Sequence, residues 1–242
     1  MAGETAERQE NGIVKGVAAA VKTNKGSPVT LVAGKTIIPG VIAATKFTGR
    51  QLGGSEPYTD IVLTLHNKKT FNLSCKGETA PSLAGGGMTG IELAVPGIAK
   101  KFMKAAHSHL MTKLKLAPGS KVPDVYGKIS GADKLKIVVG NTKMAGPIDY
   151  MYIGKMDVKA VYDKKTNTVT FNASMTKAVD YANTHDLYFR LRARREDQPF
   201  DPITKDKNGT PKIYGKSPSK GDSAGRIMVT DQIPVNAVIV KL

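Results

Sequence analysis

The sequence predicts an α+β protein, a mixed β-sheet with flanking helices, built as a single domain over residues 1–242. Three observations carry that expectation. Apolar residues near the start recur at helical spacing. The segment around His66-Asn67-Lys68-Lys69 alternates apolar and polar residues on both sides, as a β-hairpin does. Further alternating runs follow, with no internal repeat and no linker flexible enough to force a domain boundary.

The first helix reads from residue 5 to about residue 21. Glu7 and Glu10 fall early, where they suit the positive end of the helix dipole. Ile13, Val17 and Val21 recur every four residues and should face a core. Gly12 and Gly16 count against the helix. Residues 23–27 form a turn. Residues 28–47, rich in Val, Ile and Thr, suit one or two strands interrupted near Pro39-Gly40, and residues 49–57 form a polar loop.

The hairpin comes next, in TDIVLTLHNKKTFNLSCKGE. Ile61, Leu63 and Leu65 share one face of its first strand. Phe71, Leu73 and Cys75 share a face of the second, leaving Asn72, Ser74 and Lys76 on the other side. Residues 77–87 are a loop with three consecutive glycines. A helix over 97–110 aligns Ile98, Phe102, Ala105 and His109, with Lys100, Lys101 and Lys104 on another side. KLKIVVG reads as a strand, as does DYMYIGKMDVKAVY, which pairs with VTFNASM across the turn DKKTNT. In DLYFRLRARR, Leu187, Phe189, Leu191 and Ala193 alternate with Tyr188, Arg190, Arg192 and Arg194. Residues 198–225 are a long basic loop or small extension, and one or two strands close the chain.

Charge narrows the function. Thirty-six Lys and Arg against 20 Asp and Glu give +16, with a pI near 9.8. That excess favours phosphate backbones, anionic membranes or acidic proteins, and DNA is the partner expected. A membrane is not: no apolar run is long enough to cross a bilayer, and MAGETAERQENG lacks the apolar stretch of a signal peptide. A single cysteine, Cys75, excludes an intrachain disulfide and fits a reducing interior. Scattered histidines speak against structural zinc. GETAPSLAGGGMTG lacks the closing Gly-Lys-Ser/Thr of a phosphate-binding loop, though its glycines would let backbone approach a ligand.

Two short motifs bear on chemistry. EPYTD places Asp60 ahead of the first hairpin strand, and LSCK places Ser74-Cys75-Lys76 on the second. On these residues the chain resembles the PD-(D/E)xK nuclease superfamily, over residues 5–110. The resemblance implies a restriction-endonuclease-like core and Mg²⁺-dependent phosphodiester hydrolysis, with Asp60, Lys76 and a helix carboxylate, Glu10 or Glu7, at the centre. Ser74 departs from the pattern by standing where the family has Glu or Asp, and Glu56 or Glu78 would have to compensate.

The chemistry also stands without the family. Mg²⁺ takes one or two carboxylates with water and phosphate oxygens. Asp60 can anchor it, a backbone carbonyl at Cys75 can add a second oxygen, and Lys76 can polarise water or hold the phosphate. An odd-length hairpin loop, such as Asn67-Lys68-Lys69, puts Asp60 and Lys76 on one sheet face. A two-residue turn puts them on opposite faces. The alternative is that Asp60 merely starts a strand and Lys76 lies on a solvated face.

Arg190, Arg192, Arg194 and Arg195 form the densest arginine cluster, and Lys100, Lys101 and Lys104 a second basic zone. A DNA backbone explains the arginine row, and an acidic neighbouring subunit explains it nearly as well. His107 and His109 are two apart and do not face one point on a helix. Two functions follow. One is a DNA-associated protein of nuclease-like fold, Mg²⁺-dependent if its site is intact. The other is a non-enzymatic virion structural protein contacting DNA or neighbouring subunits, since the whole chain resembles phage-encoded proteins more than cellular nucleases. The location expected is the host cytoplasm or the virion.

Overall fold

Apolar residues four apart build the first helix, α1 (Ala2–Thr23), and its stripe of Ile13, Val17 and Ala20 is fully buried. The computed structural model describes residues 2–50, 52, 56–78, 83, 87–221 and 225–242, with side chains from residue 6 onward. After α1 come β1 (Val29–Ala33), β2 (Thr36–Lys46), β3 (Ile61–Leu65) and β4 (Thr70–Gly77). Then follow α2 (Gly87–Ala94), α3 (Ile98–Thr112), β5 (Val125–Lys128) and α4 (Gly131–Val139). Next are β6 (Tyr150–Gly154), β7 (Ala160–Asp163), β8 (Thr168–Phe171), β9 (Ala173–Lys177) and α5 (Ala178–Thr184). The chain closes with β10 (Tyr188–Arg192), β11 (Phe200–Lys205), β12 (Pro211–Tyr214), β13 (Arg226–Thr230) and β14 (Val238–Val240). The fold is mixed α+β, with a multi-stranded sheet flanked by helices.

Packing divides the chain into two compact units. The first comprises Met1–Pro81 and Val138–Thr184, the second Ser82–Ile137 and His185–Leu242.

The first unit is an eight-stranded sheet in the order β7-β8-β1-β2-β3-β4-β6-β9. It is mixed: β1 runs parallel to β8 and β4 parallel to β6, and the other neighbours are antiparallel. The α1 stripe packs with Leu31, Val41, Ile61, Leu63 and Leu73 in one apolar core. The two helix glycines, unfavourable for propensity, have a packing role. A Cβ on Gly12 would lie 2.7 Å from the Val158 Cβ, and one on Gly16 would lie 2.7 Å from the Ala160 Cβ. Close approach of α1 to the chain entering β7 requires both positions to stay bare.

The second unit carries a four-stranded sheet, β13-β10-β5-β14, and a two-stranded one, β11-β12. The alternation along β10 is as expected: Leu187, Phe189 and Leu191 are fully buried. Phe189 stacks on Phe102 of α3 at 5.4 Å between ring centroids. On α3 the buried stripe is Ile98, Ala99, Phe102, Met103, Ala106 and Leu110, so Ala105 and His109 sit at its half-buried margin.

Several local expectations are corrected. KLKIVVG is part of α4, not a strand: Ser130 donates to Asp133 just ahead of the helix, and Ile137 and Val138 are buried. This start signal and the burial outweigh the strand preference of β-branched residues. Pro39-Gly40 does not separate strands. It lies within β2, where the register against β1 shifts, and the break comes instead at the turn bearing Gly34 (φ 59°). DYMYIGKMDVKAVY makes two strands, β6 and β7, and only β7 pairs with β8. The 198–225 extension folds into the β11–β12 hairpin. Residues 51 and 53–55 of the polar loop, 79–82 and 84–86 of the glycine loop, and 222–224 lie outside the described residues. Among the described residues no helix is long and apolar enough to cross a membrane.

Candidate functional site

The β3–β4 hairpin sets the geometry of the first unit's site. Its ladder runs Ile61↔Leu73, Val62↔Asn72, Leu63↔Phe71 and Thr64↔Thr70. The connecting loop is odd in length and is closed by bonds from Leu65 N to Lys69 O (2.8 Å) and from Lys68 N to Leu65 O (2.9 Å). Lys68 adopts positive φ, 66°, to make the turn. The loop is therefore centred on Asn67, one residue earlier than a loop of Asn67-Lys68-Lys69, and Asp60 lies beside Ser74 rather than opposite Lys76.

β3 starts only at Ile61, just after Asp60, so the N–H of Cys75, beyond the end of the ladder on β4, has no β3 carbonyl to meet. The Asp60 carboxylate takes it: Oδ2 accepts from Cys75 N at 2.6 Å and from the Ser74 hydroxyl at 3.2 Å. The Ser74 bond fixes the carboxylate on Ser74's side of the sheet, and Lys76, two residues on, projects from that same side. Asp60 and Lys76 share a face. Burial pushes the Asp60 carboxyl above its ordinary range, against the pull of the Lys76 ammonium and of the two hydrogen bonds, and Glu56 adds to the rise.

Glu10 reaches this neighbourhood from α1. Its carboxylate is bridged to Lys46, the last residue of β2, at 3.1 Å, and Glu7 shares that lysine at 3.4 Å. Burial raises the Glu10 carboxyl, the Lys46 bond lowers it, and the charge of Asp60 raises it again. The two carboxylates thus sense one another, yet Glu10 already has a cation. Gln9 fixes the helix here. It is buried, and its Nε2 donates to the carbonyl oxygens of Gly154 (2.9 Å) and Lys76 (3.1 Å).

For a metal, the first oxygen available is Asp60 Oδ1, which makes no hydrogen bond among the described residues. A strand residue points its N–H and C=O the same way, so the Cys75 carbonyl opens to the edge where its N–H meets Asp60. The Cys75 side chain faces the apolar core, half-buried, and burial pushes its thiol well up. Glu56 and Glu78 are exposed. Among the described residues no group of three His, Cys, Asp or Glu side chains could hold a metal ion. Mg²⁺ takes oxygen donors, one or two carboxylates with water and phosphate; of these the edge offers one carboxylate, Asp60, and one backbone carbonyl, that of Cys75.

The basic residues lie in the second unit. Arg190 is held by Asp124, through Nε at 2.8 Å and Nη2 at 2.6 Å, and lies 6.0 Å from the Tyr126 ring centroid. Arg192, the last residue of β10, is exposed, as are Arg194 and Arg195 in the bend beyond it. Lys100, Lys101 and Lys104 are exposed on α3. The half-buried His107 contacts the Pro202 carbonyl oxygen through Nε2 at 2.9 Å.

Three site residues escape sequence reasoning. Gln9 stands four residues before Ile13 on the buried stripe, and that spacing was its signal. Lys46 stands at the polar end of a Val/Ile/Thr-rich run. Gln198, also buried, accepts from the Arg194 and Arg195 N–H groups (2.7 and 3.0 Å) and so shapes the arginine bend; nothing in the sequence marks it. Comparison of the chain with protein-family models, with curated proteins and with solved structures yields no match.

Proposed function

We propose that this chain is a DNA-associated protein whose first unit, in the manner of a restriction-endonuclease-like core, carries an Mg²⁺-dependent centre for phosphodiester hydrolysis. The observation that carries the proposal is the placing of Asp60 and Lys76 on one sheet face, with Lys76's charge acting on the carboxylate. Asp60 and the Cys75 carbonyl are the groups that would hold the cation. Bound Mg²⁺ would supply charge stabilisation and lower the pKa of its water. Lys76 orients the scissile phosphate, and Gln9, anchored to the Lys76 carbonyl, steadies that strand end. The net charge of +16 supports attraction of a polyanion.

A second reading is favoured by Ser74 standing in place of a carboxylate and by Lys46 already neutralising Glu10. Under it the chain is a non-enzymatic structural protein, of a virion for example, touching DNA or neighbouring subunits. One experiment separates the two. Purified protein nicks supercoiled plasmid with Mg²⁺ and not with EDTA, and Asp60→Ala abolishes nicking. Cleavage that survives in Asp60→Ala removes this centre, and no cleavage by the wild-type protein favours the structural reading.

A further inference from the structure

The second unit contains a cleft of ≈ 160 Å³ at the end of β10, walled by Lys121, Asp124, Arg190, Arg192 and, from the bend beyond, Arg194, Arg195, Glu196 and Gln198. Five cationic side chains line it against two carboxylates, Asp124 and Glu196, an excess of three positive charges. The arginines are not equivalent. Arg190 is spent on Asp124. The guanidinium groups of Arg192 and Arg194 enter no ion pair among the described residues.

A second observation points the same way. Across the antiparallel ladder Arg192 stands directly opposite Arg226, which is also exposed. Like charges at opposed positions destabilise a sheet unless an anion lies between them. Beneath this face the Tyr214 hydroxyl is buried with no hydrogen-bond partner among the described residues, and it senses the charges of Asp124 and Arg192.

We infer that this cleft seats a single phosphate group of a nucleic-acid strand, gripped by Arg192 and Arg194, while Arg190 is neutralised by Asp124. The inference rests on the DNA-associated reading but is independent of hydrolysis in the first unit. Size selects a group rather than a molecule, because small-molecule pockets are usually about 300 Å³ or larger. The excess of three charges calls for an anion, the planar arginine fork matches phosphate oxygens in pairs, and the neighbouring phosphates of a strand add the further charge that an isolated anion would not bring.

The test is fluorescence anisotropy of a labelled DNA duplex in EDTA, where no Mg²⁺-dependent cleavage intervenes. Arg192→Ala/Arg194→Ala should weaken binding by about tenfold or more and reduce the salt slope by about one. The control, Lys164→Ala/Lys165→Ala in the exposed β7–β8 turn, removes the same net charge and should change affinity far less. Asp124→Asn should tighten binding, since it takes a negative charge from the cleft, whereas a merely structural role would weaken it. Equal losses in the two double variants overturn the cleft but leave the hydrolysis reading intact. So does competition by poly-glutamate as strong as that by DNA, which would make the partner an acidic protein.

Discussion

β4 and β10 follow the same rule and reach opposite electrostatic outcomes. Each alternates apolar and polar residues at period two and packs its apolar face into a core: Leu73 in the first unit's, Phe189 and Leu191 in the second's. Each turns polar residues to the other face. On β4 Ser74, buried although it lies on the face opposite Leu73, meets Asp60, with Lys76 close enough to act on it, so the charges compensate locally. On β10 the outward Arg192 meets Arg226, and the charge is left over. The partner across the ladder, not the residue itself, decides whether a charge is structural or available to a ligand.

The largest effects that test this comparison lie on the buried faces. Phe189→Ala should cost about 3–5 kcal/mol and Leu73→Ala about 2–5 kcal/mol, measured by urea unfolding. A loss below about 1 kcal/mol at either position would break the face assignment on that strand. The polar faces should give smaller effects of opposite sign. Ser74→Ala deprives Asp60 of a donor and should cost about 1 kcal/mol. Arg226→Gln removes a repulsion and should stabilise by roughly 0.2–1 kcal/mol at low salt, fading as salt screens the pair. If both substitutions destabilise, the contrast between the strands is not electrostatic.

Much of the fold was legible because periodicity reports burial directly. The α1 stripe, the hairpin around Asn67 and the β10 alternation all follow from spacing alone. What was not legible depends on partners distant in sequence. Gly12 and Gly16 looked like flaws in a helix until Val158 and Ala160 are placed against them. KLKIVVG has strand composition, and its helix follows from the start at Ser130 and the packing of Ile137 and Val138. At the site, the Asp60–Lys76 pairing depends only on hairpin parity, so sequence could state the condition. The Lys46 bridge that occupies Glu10 joins residues 36 positions apart, and no local pattern announces it. Nor does any local pattern announce Arg226 opposite Arg192.

The most direct measurement is an NMR titration of the Asp60 carboxyl, in the wild-type protein and in Lys76→Met, with and without Mg²⁺. Burial disfavours the charged carboxylate, so its midpoint should lie above the ordinary carboxylate range. The folded protein then binds this proton more tightly than the unfolded chain, and stability falls as pH rises through that window. Hydrolysis needs the ionised form, so its acid limb should be displaced upward as well. Lys76→Met should raise the midpoint further by removing the nearby cation, and Mg²⁺ should lower it by favouring the carboxylate. A midpoint that responds to neither the lysine nor the metal would contradict a cation-binding centre at Asp60.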